Sequence, residues 1–81
     1  MESEKKVEAY LVRRVKDLGG RAYKWTSPGN AGVPDRICVF PGGTIGFVEL
    51  KGKGGRVSPS QVLQLGRLRR LGCRACVVWS R

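Results

Sequence analysis

Two acids and an amine, Asp35, Glu49 and Lys51, lie in the segments Val33-Pro34-Asp35-Arg36 and Phe47-Val48-Glu49-Leu50-Lys51, separated by an apolar stretch and a glycine-rich turn. The second segment alternates, so a strand there puts Ile45, Phe47, Glu49 and Lys51 on one face and Gly46, Val48 and Leu50 on the other. An acid and an amine projecting together from the end of an otherwise apolar strand are costly to bury unless a cation or a substrate phosphate satisfies them. The chain has no histidine, which removes Ser-His-Asp triads, Cys-His pairs and imidazole zinc sites. A hydrolase made from these residues would need a hard, oxygen-ligated cation such as magnesium, held by one or two carboxylates with water and phosphate in the remaining positions. Asp35 and Glu49 fit that demand.

The elements that must hold these residues follow from periodicity and turn chemistry. Val7, Leu11, Val15 and Leu18 form an apolar stripe that predicts a helix from about Glu4 to Leu18, ended by Gly19-Gly20. Arg21 to Thr26 reads as a strand with Tyr23 and Trp25 on one face, running into the turn-forming loop Ser27 to Gly32. Asp35 to Phe40 and Thr44 to Lys51 are predicted strands, and Pro41-Gly42-Gly43 between them is too short for anything but an antiparallel hairpin. One register of that hairpin sets Asp35 opposite Glu49, as it sets Phe40 opposite Thr44; a slip of one residue would undo the pairing. Beyond the Gly52–Arg56 loop, Ser58-Pro59-Ser60-Gln61 has the serine, proline and glutamine of a capped helix start. That helix is expected to turn Val62, Leu65, Leu68 and Leu71 inward and to close at Gly72. Arg74 to Trp79 is a last strand, expected to lie parallel to a neighbour through a right-handed crossover. The order is αβββαβ, an α/β fold with a mixed sheet flanked by two helices and residues 1–81 forming one domain; no repeat or low-complexity tract interrupts it.

Composition narrows the partners. A core drawn from 81 residues is marginal on its own, so self-association is expected. Lys and Arg number 16 against 6 Asp and Glu, a net charge of +10, which points to a polyanion, nucleic acid foremost. A membrane is not expected, because the chain lacks a long apolar run, a signal-like segment and a basic helix with an aromatic face. Three cysteines, an odd number, form no disulfide framework; Cys73-x-x-Cys76 lacks the second pair or histidines of a zinc ribbon, and Cys38, Cys73 and Cys76 read as small buried hydrophobes in a reducing compartment. Arg13, Arg14, Arg67, Arg69, Arg70 and Arg74 suit solvated faces and phosphate contacts, and nothing resembles a base-reading helix, so substrate selection should rest on shape. The loop from Ser27 to Gly32 borders the expected site, where Asn30 and the glycines could approach a distorted backbone.

Glu8 in the first helix, Gly32-Val33-Pro34-Asp35-Arg36, Glu49-Leu50-Lys51 and Gln61, in this order on this pattern of elements, resemble the PD-(D/E)xK nuclease superfamily and, within it, the VRR-Nuc family of small stand-alone domains. The resemblance spans nearly the whole chain. It implies a restriction-endonuclease-like core and a metal-dependent, structure-selective DNA endonuclease in which Asp35, Glu49 and the carbonyl of Leu50 bind magnesium, for which manganese substitutes, with no organic cofactor. It implies that Lys51 orients the attacking water and offsets charge on the phosphate, that Glu8 holds a second metal or a metal-bound water, and that Gln61 lies beside the same site. Lys24, Ser27, Asn30, Arg36, Lys53 and Arg56 are the expected nucleic-acid contacts. Stand-alone members look like resolvases of Holliday junctions, which implies a bacterial or phage-encoded cytoplasmic homodimer acting on branched DNA, with Trp25 or Trp79 as interface candidates. Other readings stay open: Glu8 as a solvated flank residue, Gln61 as a helix cap only, and the chain as a non-catalytic nucleic-acid-binding module or a subunit of a larger repair or packaging complex.

Overall fold

The order of elements follows the sequence pattern throughout residues 3–79, which the computed structural model describes. It consists of α1 (Glu4–Asp17), β1 (Arg21–Lys24), β2 (Arg36–Val39), β3 (Ile45–Leu50), α2 (Pro59–Arg70) and β4 (Arg74–Val78). Helix α1 begins where the Ser3 hydroxyl accepts the Lys6 N–H at 3.2 Å, with Glu4 in its first turn and Arg14 and Lys16 in its last, the charge order a helix dipole favours. It ends at Gly19, whose φ of +85° a side chain would resist. Val7 and Val15 are buried, but Leu18 is 59% exposed. It was expected on the inward stripe; as the C-cap residue it lies beyond the last helical turn and falls off that stripe.

The sheet is ordered β1-β2-β3-β4, antiparallel through β3 and parallel between β3 and β4. In the hairpin Arg36 faces Val48 and Ile37 faces Phe47, and the Phe40 N–H donates to the Thr44 carbonyl at 2.8 Å. This is the register that sets Asp35 across from Glu49. Gly43 N–H closes the turn on the Phe40 carbonyl at 3.1 Å, and Gly42, at φ +89°, occupies the position where only glycine is unstrained. β1 and β2 are shorter than the sequence suggests, yet the Trp25 N–H donates to the Asp35 carbonyl at 2.9 Å, so their ladder carries one residue further.

The two sheet faces differ in chemistry. Ala22, Cys38, Val48 and Leu50 project to one side and form a core with Val7 and Val15 of α1. Phe47 and Glu49 alternate to the other side, where α2 lies. From α2 only Leu65, at 3%, is buried, with Leu68 half-buried; Val62 and Leu71, expected inward, are 59% and 80% exposed. The phase is set by Gln61, which turns toward the sheet, so Leu65 and Leu68 follow it four and seven residues on while Val62 is rotated away. Leu71 is the C-cap residue. All three cysteines are free, with Cys38 in the core. No helix among the described residues is long and apolar enough to cross a membrane.

Gly32 joins the Ser27–Gly32 loop to this framework. Its φ is +86°, and a Cβ there would overlap the Ser60 carbonyl and the Gln61 nitrogen in the first turn of α2. Nearby, Gln64 Nε2 donates to the Ala31 carbonyl at 3.2 Å. Strain from the positive φ and overlap with backbone should together make Gly32→Ala less stable by at least about 2 kcal/mol. Urea unfolding of that variant checks it, with Gly29→Ala as the control for φ alone, since a Cβ at Gly29 meets nothing within 4 Å.

Candidate active site

Asp35, Glu49 and Lys51 meet where β2 begins and β3 ends, beside the start of α2. Asp35 is fixed by its own hairpin: its Oδ2 accepts the Leu50 N–H at 2.9 Å. Glu49 is 2% exposed, the one buried acid of the chain's described residues. Its Oε2 accepts Gln61 Nε2 at 2.9 Å and lies 3.4 Å from Lys51 Nζ. Its Oε1 is buried with no hydrogen-bond partner. Burial, then the negative charge of Asp35, push the Glu49 carboxyl up from 4.5 to about 7, against the opposing pull of Lys51.

Gln61 serves both roles that the sequence left open. Its Oε1 accepts the Ser58 N–H at 2.9 Å and the Ser58 hydroxyl accepts the Gln61 N–H at 3.3 Å, a complete capping box. The same side chain's Nε2 then holds Glu49. The cap therefore aims the donor: the side-chain rotamer that starts α2 also points an amide at the buried carboxylate.

Glu8 is placed differently. Its Oε2 accepts Arg36 Nε at 3.0 Å, and Arg36 Nη1 donates to the Ala22 carbonyl at 3.0 Å. Arg36 alternates with Asp35, so it turns to the α1 face while Asp35 turns to the α2 face. No cluster of three or more acids or thiols suited to a metal exists among the described residues, so Glu8 does not stand with Asp35 and Glu49. Arg36, expected to contact nucleic acid, instead ties the start of β2 to α1. Sequence reading missed this tether because its partners lie 28 residues apart. Of the other expected contacts, Lys24, Lys53 and Arg56 are exposed. Asn30 is also exposed, but its Nδ2 donates to the Ser27 hydroxyl at 2.9 Å and its N–H to the Ser27 carbonyl at 3.0 Å. The loop is thus internally braced.

A carboxylate pair in which one buried oxygen lacks a donor, beside an amine, is a donor set for a hard divalent cation. Asp35 and Glu49 are the side chains that could hold such an ion. Without the ion, the folded state holds the Glu49 proton more tightly than the unfolded chain does. The group's contribution to stability is therefore greatest below about 4.5 and is lost as the pH rises through about 7. In chelator, wild type should lose about 2–3 kcal/mol more than Glu49→Gln between about pH 5 and about pH 8. Urea unfolding at the two pH values measures the difference.

The sequence matches the family model of the VRR-NUC domain over residues 3–81. It is 44% identical over 75 residues to "Putative nuclease p44" of Acyrthosiphon pisum secondary endosymbiont phage 1, covering 93% of this chain and 81% of that protein. The fold superimposes on a solved structure described as a VRR_NUC domain with a TM-score of 0.89 and 33% identity, across 99% of this chain and 87% of that one. The αβββαβ order, the buried Glu49 with Asp35 and Lys51 beside it, and these similarities over nearly the full length lead to one assignment: the chain belongs to the VRR-NUC family of nuclease domains.

Proposed function

We propose that this nuclease is a divalent-metal-dependent endodeoxyribonuclease that cuts branched DNA, four-way junctions included, as a twofold homodimer. The observation that carries the metal dependence is Glu49 Oε1, a buried carboxylate oxygen with no partner. Burying such an atom costs a kilocalorie or more, about 1–3 kcal/mol, unless something satisfies it. Asp35, Glu49 and the Leu50 carbonyl are the groups that would hold magnesium or manganese. The ion would supply a more acidic water and neutralise charge at the phosphate.

The chain's own residues do the rest. Gln61 engages Oε2 of Glu49 and so leaves Oε1 to face the cation. The Leu50 N–H holds the Asp35 carboxylate against the end of β3. The cost of a second negative charge next to Glu49 is thereby met by fixed dipoles rather than by loose side chains. Lys51, 12% exposed at its side chain, brings its amine to the site. It orients water for attack on phosphorus and takes up charge as the phosphate becomes pentavalent and the P–O bond to the leaving sugar breaks. No acid follows Glu49 in the sequence, so Lys53, Arg56 and the arginines of α2 and β4 present a surface suited to phosphates without base-edge readout.

Two symmetric incisions need two sites, and one domain of this size carries one; an isologous dimer supplies both. Val62 and Leu63 on the outer side of α2, 59% and 48% exposed, offer apolar surface for the contact. Light scattering at micromolar concentration should give a dimer, and Val62→Glu with Leu63→Glu should give monomers that nick one strand of a junction without resolving it. A wild-type monomer that makes paired incisions would refute the dimer.

For the chemistry, Asp35→Ala and Glu49→Ala should each lower magnesium-dependent cleavage by at least about a hundredfold while the circular dichroism spectrum and DNA binding persist. Lys51→Ala should lower turnover with magnesium affinity retained, read by calorimetry. Full activity of Asp35→Ala, with contaminating nuclease excluded, would sink the site.

A further inference from the structure

The strand registers set a tryptophan on either side of the acid row. Trp25 N–H donates to the Asp35 carbonyl at 2.9 Å, one step beyond the Lys24–Arg36 pair, so Trp25 is the cross-strand neighbour of Asp35 on the same face. At the other edge Glu49 lies beside Val77 and Leu50 beside Val78, and the Lys51 N–H continues the ladder to the Val78 carbonyl at 3.0 Å. The next residue, Trp79, therefore falls beside Lys51. Val78 packs on the α1-side core, so alternation turns Trp79 toward the face that carries Glu49 and Lys51. With strands about 4.8 Å apart and Trp79 offset by two residues along the sheet, the two tryptophans stand roughly 16 Å from each other across the site.

Their surroundings differ. Trp25 is half-buried and packs on Phe47, with centroids 5.3 Å apart and planes tilted by 49°; its ring is accounted for by that contact. Trp79 is 45% exposed. It borders Lys51, with the exposed Lys53 and Arg56 on the loop that follows, in a part of the chain, residues 50 to 79, that contains no acid. A flat apolar ring among cations at the rim of a phosphate-cleaving site matches one ligand chemistry: a nucleobase outside the duplex stack, whose π-face meets the indole while its phosphates meet the cations.

We propose that Trp79 is a stacking platform for an unpaired nucleobase next to the scissile phosphate. This rests on the reading of Asp35, Glu49 and Lys51 as a site of phosphodiester cleavage, and it adds how shape is selected. An intact duplex offers only backbone to the cations and keeps its bases stacked. At a flap, an end or a branch point that leaves a residue unpaired, a base is already free, and the indole captures it without the unstacking cost. Selectivity for branched substrates then comes from one exposed ring rather than from base-edge hydrogen bonds.

The chain has two tryptophans, so Trp25→Phe leaves Trp79 as the single fluorophore. In chelator, which prevents cleavage, that protein is titrated with a branched oligonucleotide carrying one unpaired thymidine at the branch, and with the same oligonucleotide made abasic there. The expected result is quenching by the first and little by the second. Trp79→Ala should bind the thymidine-bearing branch about 5- to 150-fold more weakly, Trp79→Phe should keep most of the affinity, and plain duplex should bind all three proteins alike. Equal quenching by the thymidine and abasic branches, or equal weakening of branch and duplex by Trp79→Ala, would overturn the platform. So would emission that changes with protein concentration alone, which would assign the ring to a second copy. Wild-type protein that shows base-dependent quenching but cuts nothing with magnesium or manganese would overturn the nuclease reading and leave the platform standing. Wild-type protein that cuts without base-dependent quenching would do the reverse.

Discussion

The rest of the structure depends on the burial of one carboxylate. Glu49 is held under α2 with Oε2 satisfied by Gln61 and Lys51 and Oε1 satisfied by nothing. Asp35 lies close enough to raise its pKa further. A fold under no functional demand would replace such a pair with apolar residues of similar volume at little or no loss of stability. Here the surrounding elements instead converge on it. The hairpin register brings Asp35 across, the capping box aims Gln61, and Gly32 lets the preceding loop close on the turn of α2 that carries Gln61. The strain is local and the scaffold around it is ordinary.

The two faces of the sheet divide the work that makes this tolerable in so short a chain. On the α1 side, Val7, Val15, Ala22, Cys38, Val48 and Leu50 form the one extended core. On the α2 side, Leu65 alone is buried from the helix, because two of its inward positions are given to Gln61 and Gln64. Stability is thus concentrated opposite the site. The Glu8–Arg36 pair, reaching on to the Ala22 carbonyl, fastens the start of β2 to the stable side. Since Asp35 is the next residue, a tether on one face fixes the position of an acid on the other.

What was legible in the sequence was local, or one hairpin away. The order of elements, the register across Pro41-Gly42-Gly43, and the cap at Ser58 are each written in short-range turn and capping chemistry, and the structure follows them. The meeting of Asp35 with the end of β3 follows from the register alone. What was not legible depends on where helices settle against the sheet. Apolar periodicity cannot foresee that polar Gln61 and Gln64 take inward places, and so it turned Val62 the wrong way; it counted Leu71, the C-cap residue, into a stripe that ends before that residue. It also counted Leu18 into a stripe that ends before the cap. Glu8 reads as a ligand by its place in the helix, but its orientation is decided by an arginine 28 residues on. Long-range pairs between side chains leave no periodic trace.

The charge distribution links these features to substrate choice. Every acid lies at or before Glu49, and eight of the 16 basic residues come after it, so the second half of the chain carries charge of one sign. Such a field attracts any nucleic acid and distinguishes none. Selectivity has to come from what the backbone alone does not present. Around the site, the features that are not charge include the braced Ser27–Asn30 turn on the β1 side and the two indoles, one on either side. One indole is already packed on Phe47 and the other is open to solvent beside Lys51. If Trp79 stacks a free base as proposed, the asymmetry between the two rings, with one accounted for by the fold and the other not, is what would let the domain tell intact from opened duplexes without reading base pairs.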